Sequence, residues 1–161
     1  MDKEPIDVNS EQGYLIFQSK RDTWLVGTLW LVILVSLAGA VYTFTLSLSI
    51  VSLFVQEVMW VGIIAFCFSI LRSTYYTIKA DSLEVRSGPF KWTIQFEDIE
   101  EVIPSRKAWS SAALSMDRLY VHHKGPAGGT YISPENKRHF LEKLAERAPS
   151  LRVEGDRVVQ V

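Results

Sequence analysis

The chain has 161 residues, 48% of them apolar and 22% charged, with a formal net charge of −1 from 17 basic and 18 acidic side chains. That length holds one domain with at most an appendage, and the composition excludes intrinsic disorder, a collagen repeat and a disulfide framework. The charge is also balanced locally: residues 1–23 carry three basic and five acidic side chains, and residues 73–161 carry 13 and 12. No segment is basic enough to bind nucleic acid by counterion release.

The average hides a sharp division. No charge occurs in the 34 residues from Thr23 to Gln56, nor in the 14 from Val58 to Leu71. About 20 apolar residues in helical form cross the hydrocarbon layer of a membrane. Trp24–Phe44 supplies the first span. Glu57 would cost about 2.5–3.5 kcal/mol at a helix centre, which places it at an end and sets the second span at about 58–76. Arg72 can snorkel to the interface there, beside Tyr75 and Tyr76. Thr45–Gln56 is the expected connection. Lys20 and Arg21 precede the first span, Arg72 and Lys79 follow the second, and the connection has no lysine or arginine. The positive-inside rule therefore predicts a multi-pass protein of the cytoplasmic (inner) membrane with both termini in the cytoplasm. Ala38-Gly39-Ala40 fits a signal cleavage site, but the apolar run continues past it. Gly62 and Ala65 are expected to serve helix packing. Lone Cys67 reads as a small packing residue, and Glu57 as an interface anchor.

After Tyr75 the pattern alternates. Strands are expected at Tyr76–Lys79, Leu83–Arg86, Lys91–Phe96 (burying Trp92, Ile94 and Phe96), Ile99–Ile103 with Pro104 as terminator, Leu119–Lys124, and Thr130–Ile132. Ser87-Gly88-Pro89 and Gly125–Gly129 are turns. Ser133-Pro134-Glu135 reads as the start of an amphipathic helix that buries Phe140, Leu141, Leu144 and Ala148 and ends at Pro149. The remaining residues, Arg152–Val161, read equally as a tail or an added strand. The predicted fold is α+β: a two-helix hairpin, then an antiparallel partial barrel closed by a C-terminal helix. The expected division is an N-terminal tail over 1–23, the hairpin over 24–76, the barrel domain over 77–149 and a tail over 150–161.

The chain resembles bacterial membrane proteins with a pleckstrin-homology (PH)-like domain, of the kind labelled YyaB-like. The resemblance rests on Leu83-Glu84-Val85-Arg86-Ser87-Gly88-Pro89-Phe90, Ile99-Glu100-Glu101-Val102, Pro104-Ser105-Arg106, Ser110–Leu119 and Ile132-Ser133-Pro134. It spans Thr74 to Leu144, and the Ala113-Leu114-Ser115-Met116-Asp117-Arg118-Leu119 run is its most specific part. It implies a PH-like barrel and no established activity. Phosphoinositide-binding PH domains carry several basic residues around their first hairpin. Here Asp81 and Glu84 interrupt Lys79 and Arg86, so inositol-lipid binding is not expected.

No catalytic set emerges. Ser115, Asp117 and His122 lack a nucleophile elbow, and adjacent His122 and His123 point to opposite faces of a strand. The chain is therefore expected to be non-enzymatic, with no cofactor and no metal. Arg106, Lys107 and Trp109 are the candidate contact with a membrane or ligand, since each cation near an anionic leaflet contributes about 1 kcal/mol. Ser115, Asp117 and Arg118 are candidates for pinning that loop to the barrel or for touching a ligand. The expected function is to present the domain to a protein, peptide or lipid headgroup at the bilayer. The alternative is an accessory subunit whose hairpin packs on a partner's helices, and a second copy of the chain is a further expected partner.

Overall fold

A computed structural model describes residues 8–9, 13–46, 49–105, 115, 117–125 and 128–161. Strands β1 (Val8–Asn9) and β2 (Tyr14–Gln18) precede two long helices, α1 (Thr23–Thr43) and α2 (Ile50–Arg72). Strands β3 (Thr74–Ile78), β4 (Ser82–Ser87) and β5 (Phe90–Gln95) follow. A short 3-10 turn at Phe96–Asp98 leads to β6 (Ile99–Ser105), β7 (Arg118–His123) and β8 (Gly129–Ile132). Helix α3 (Lys137–Arg147) and the hairpin β9 (Leu151–Glu154) and β10 (Arg157–Gln160) complete the chain.

The strands form two five-stranded antiparallel sheets, ordered β1-β2-β3-β4-β5 and β8-β7-β6-β10-β9. Alternation puts Tyr76, Ile78, Leu83, Val85 and Ile94 of the first sheet against Val102, Leu119, Val121 and Ile132 of the second. Phe140, Leu141 and Leu144, at helical spacing on α3, close this core. Trp92, expected inside, is half-buried and packs on the core's edge.

Both long helices are apolar enough and long enough to cross a membrane. They pack on each other through Ile33, Cys67 and Leu71, flanked by Val26, Leu29, Ile63 and Ile64. Helix α2 begins at Ile50, eight residues before the expected span, and ends at Arg72, four residues before it. Thr43 explains the early start: its hydroxyl donates to the Glu57 carboxylate. A carboxylate held by the facing helix does not have to mark a helix end. The small residue at the crossing is Gly39, where a Cβ would lie 2.6 Å from the Trp60 ring. Gly62 and Ala65, expected to fill that role, are exposed.

Four other elements differ from expectation. The segment taken as an N-terminal tail supplies β2, which pairs with β3 from Leu15↔Ile78 to Gln18↔Tyr75. The C-terminal segment, set outside the domain as a tail but open to being an added strand, forms the β9–β10 hairpin, turned at Gly155, and β10 pairs with β6 at Glu101 and Val102. Strand β6 runs through Pro104 to Ser105, because the β10 pairing ends at Val102 and leaves an edge that tolerates a proline. Helix α3 starts at Asn136, whose side chain accepts from the His139 N–H at 3.1 Å, rather than at Ser133. Residues 133–135 are held instead by the N-terminal segment: Lys20 N–H donates to Ser133 O at 2.7 Å and Glu135 N–H to Gln18 O at 3.0 Å.

Candidate functional site

The apolar hairpin is spliced between two neighbouring strands. β2 leads into α1, α2 returns into β3, and β2 and β3 are hydrogen-bonded partners. One residue, Ser73, separates α2 from β3, and four residues, Ser19–Asp22, separate β2 from α1. The barrel is thus joined to the hairpin by two short strands of chain at one place.

A polar network locks that place. The buried Tyr76 hydroxyl donates to Ser19 Oγ at 3.1 Å and accepts from the Ser133 N–H at 3.0 Å. Ser19 Oγ and Ser133 Oγ lie 3.2 Å apart. Burial pushes the Tyr76 phenol above its ordinary pKa, against the smaller opposing pull of Ser19 and Ser133. The network is a neutral tie between β2, β3 and the end of β8.

Beside it lie three of the residues singled out in the sequence. Ser115 Oγ donates to Asp22 Oδ1 at 2.8 Å and accepts from the Asp117 N–H at 3.1 Å. Arg118, buried, donates from Nε to the Ser115 carbonyl at 2.6 Å. Asp117 pairs with Lys20 at 3.0 Å and with Lys137 at the start of α3. The Lys137 contact chiefly holds the Asp117 carboxyl below its ordinary pKa, with Lys20 adding to it and partial desolvation opposing. The three residues therefore tie the returning end of the β6–β7 loop to the first residues of α1 and of α3. Arg106, Lys107 and Trp109 lie outside the described residues. Their loop leaves β6 at Ser105 and comes back at Ser115, against the Asp22 N-cap of α1.

Next to Asp117 is a cleft of about 440 Å³. Leu119, Leu141 and Val153 line it with apolar surface, and Asp117, Lys137, Arg138 and Glu142 supply charges of both signs. Such a lining suits an amphipathic segment better than a multiply charged phosphate. The sequence offered no signal for this convergence. Lys20 reads there only as a topology marker, and it meets Lys137 only through tertiary structure.

Across the second hairpin, Glu84 sits on the outer face of β4, yet it is buried under two lysine stems. Its carboxylate pairs with Lys79 at 2.5 Å and Lys91 at 3.0 Å. These lysines, the nearest to a basic pattern around this strand, thus share a single carboxylate, which offsets part of their charge.

Two facing antiparallel sheets closed by a C-terminal helix define a PH-type barrel, and residues 74–148 match the family described as bacterial PH domain. Strand β2 and the β9–β10 hairpin fall outside that match and enlarge both sheets. A protein of Bacillus subtilis (strain 168), uncharacterized protein YyaB, is 29% identical over 138 residues, 83% of this chain and 92% of the relative. Both matches support the resemblance to YyaB and to a bacterial PH domain over residues 74–148. No solved structure matches it.

Proposed function

We propose that the chain is a non-enzymatic PH module of the cytoplasmic membrane, anchored by α1 and α2, that holds a binding face at the bilayer surface for a protein or peptide segment. The splice of the hairpin between paired strands carries this reading. A domain tethered by a flexible linker would sample all orientations. This one leaves the hairpin through Ser73 on one side and Ser19–Asp22 on the other, so the same face always meets the lipid.

The charges near the junction support the orientation. Lys20, Arg21 and Arg72 lie at the barrel end of the hairpin and Lys79 one strand beyond it, the side the positive-inside rule assigns to the cytoplasm. The Ser115–Asp22 bond fixes the returning end of the β6–β7 connection at that same end of the hairpin. The mixed lining of the cleft favours a protein or peptide segment over an inositol phosphate.

Single-cysteine labelling tests the anchor and its direction. In a Cys67→Ala background, Ser49→Cys is expected to react with an impermeant maleimide on intact cells, and Gln160→Cys only after lysis. The reverse pattern would overturn the orientation. Release of the protein from membranes by alkaline carbonate would overturn the anchor itself.

A further inference from the structure

We propose that the β4–β5 turn makes a second membrane contact, inserting Phe90 into the acyl region of the cytoplasmic leaflet beside α2. The inference rests on the reading of α2 as a membrane span.

The turn lies directly on the helix. Gly88 N–H donates to Ser73 O at 2.9 Å. A Cβ on Gly88 would stand 3.0 Å from Ile70 Cγ1 and 3.2 Å from the Ile70 backbone nitrogen and Cα. The next contact is deeper along the helix: the Phe90 ring packs edge-on to Phe66, with centroids 6.2 Å apart and planes at 79°. Phe66 precedes Arg72 by six residues, about 9 Å along an α-helix. With Arg72 at the headgroups, Phe90 stands level with the first carbons of the acyl chains.

Exposure points the same way. Phe17, Phe96 and Phe140 of the barrel are buried, whereas Phe90 is 58% exposed. Its exposed surface continues that of Phe66, itself 46% exposed, so the two rings form one apolar face with α2. The neighbouring charges sit on the barrel side of this face. Lys91 follows Phe90 and pairs with Glu84, and Arg86, opposite Lys91 in the sheet, lies over the Tyr75 ring. An aromatic tip backed by cations is the pattern of an interfacial insertion. The occupant is lipid, because the patch is continuous with the apolar exterior of the helix.

Depth-dependent quenching by lipids brominated along the acyl chain tests this in the full chain reconstituted in vesicles. An environment-sensitive fluorophore is placed at Phe66→Cys, Phe90→Cys or Thr93→Cys in the Cys67→Ala background. Strong quenching at 66 and 90, several-fold above that at 93, is the expected result. Quenching at 66 but not at 90 would overturn the insertion while leaving the span intact. No quenching at 66 would remove the span, and the insertion with it. Equal quenching at 90 and 93 would also overturn it, since the whole strand rather than the turn would then lie in lipid.

Discussion

In the barrel, Ile78, Leu83, Val121 and Leu144 are inside, and Lys79, Lys91 and Arg138 are outside. In the hairpin the exterior is apolar, and the seam holds polar side chains beside Ile33, Cys67 and Leu71. Ser36 and Thr43 are buried between the helices with the Glu57 contact, while Leu34 and Val41 are 60% and 70% exposed. Each helix bonds its own backbone groups, so an apolar exterior with polar contacts inside suits a hydrocarbon solvent. In water, an apolar surface of this extent would drive association. Under the proposed anchoring the two halves of the chain face different solvents, and the junction at Ser19, Ser73 and Tyr76 is where the solvents change.

The largest expected difference follows from that contrast. Leu119→Ala empties part of the barrel core and is expected to cost about 2–5 kcal/mol. Leu34→Ala removes a side chain that faces the hairpin's surroundings and is expected to stay within about 0.5 kcal/mol. Unfolding by denaturant in mild micelles measures both. A Leu34→Ala cost as large as that of Leu119→Ala would mean that α1 packs on another protein helix, and would move the function towards the accessory-subunit reading.

The same contrast governs what could be read from the sequence. Uncharged runs, alternating strands and the amphipathic α3 announce themselves because each rests on a local period. Strand β2 is hidden, since Tyr14-Leu15-Ile16-Phe17 is a short apolar run without alternation, and its partner β3 lies beyond the whole hairpin. The Ser133-Pro134-Glu135 signal was sound helix chemistry, overridden by backbone bonds from Gln18 and Lys20. Glu57 misplaced the start of α2 because its partner, Thr43, is on another helix. Of the site, Ser115, Asp117 and Arg118 were visible as a polar cluster. Asp22, Lys20 and Lys137 were not, because nothing local in the chain links them.

Two glycines then separate docking from mere backbone conformation. Gly88 and Gly155 both adopt left-handed geometry, with φ of 57° and 65°. Nothing lies within 4 Å of a Cβ at Gly155, so Gly155→Ala is expected to cost about 1–2 kcal/mol for conformation alone. Gly88→Ala adds a tight contact with Ile70, side chain and backbone, and is expected to cost about 2–4 kcal/mol. Thermal unfolding in micelles measures the difference. Equal costs would mean that the turn does not rest on α2, and would loosen the barrel from the hairpin.

The smallest expected differences concern two acids, one on each side of the barrel. Both carboxyls lie below their ordinary pKa. For Glu84, burial pushes the value up, but Lys79 and Lys91 together outweigh it. For Asp117, Lys137 dominates. A depressed carboxyl contributes stability that is complete above its ordinary value, 4.5 for Glu84 and 3.8 for Asp117, and is lost as pH falls through the lower folded value. Glu84→Gln is expected to cost about 1–2 kcal/mol at pH 7, below the ~3–5 of a fully buried pair, because both lysines reach solvent. It should also flatten the loss of thermal midpoint between neutral and strongly acid pH. Asp117 is half-exposed, so Asp117→Asn is expected to cost only about 0.2–1 kcal/mol and to leave the acid limb nearly unchanged. If Asp117→Asn instead flattened the acid limb more than Glu84→Gln, the junction rather than the sheet face would be the acid-sensitive point. The Lys20–Asp117–Lys137 cluster would then govern how the barrel is held beneath the hairpin, rather than merely decorating that contact.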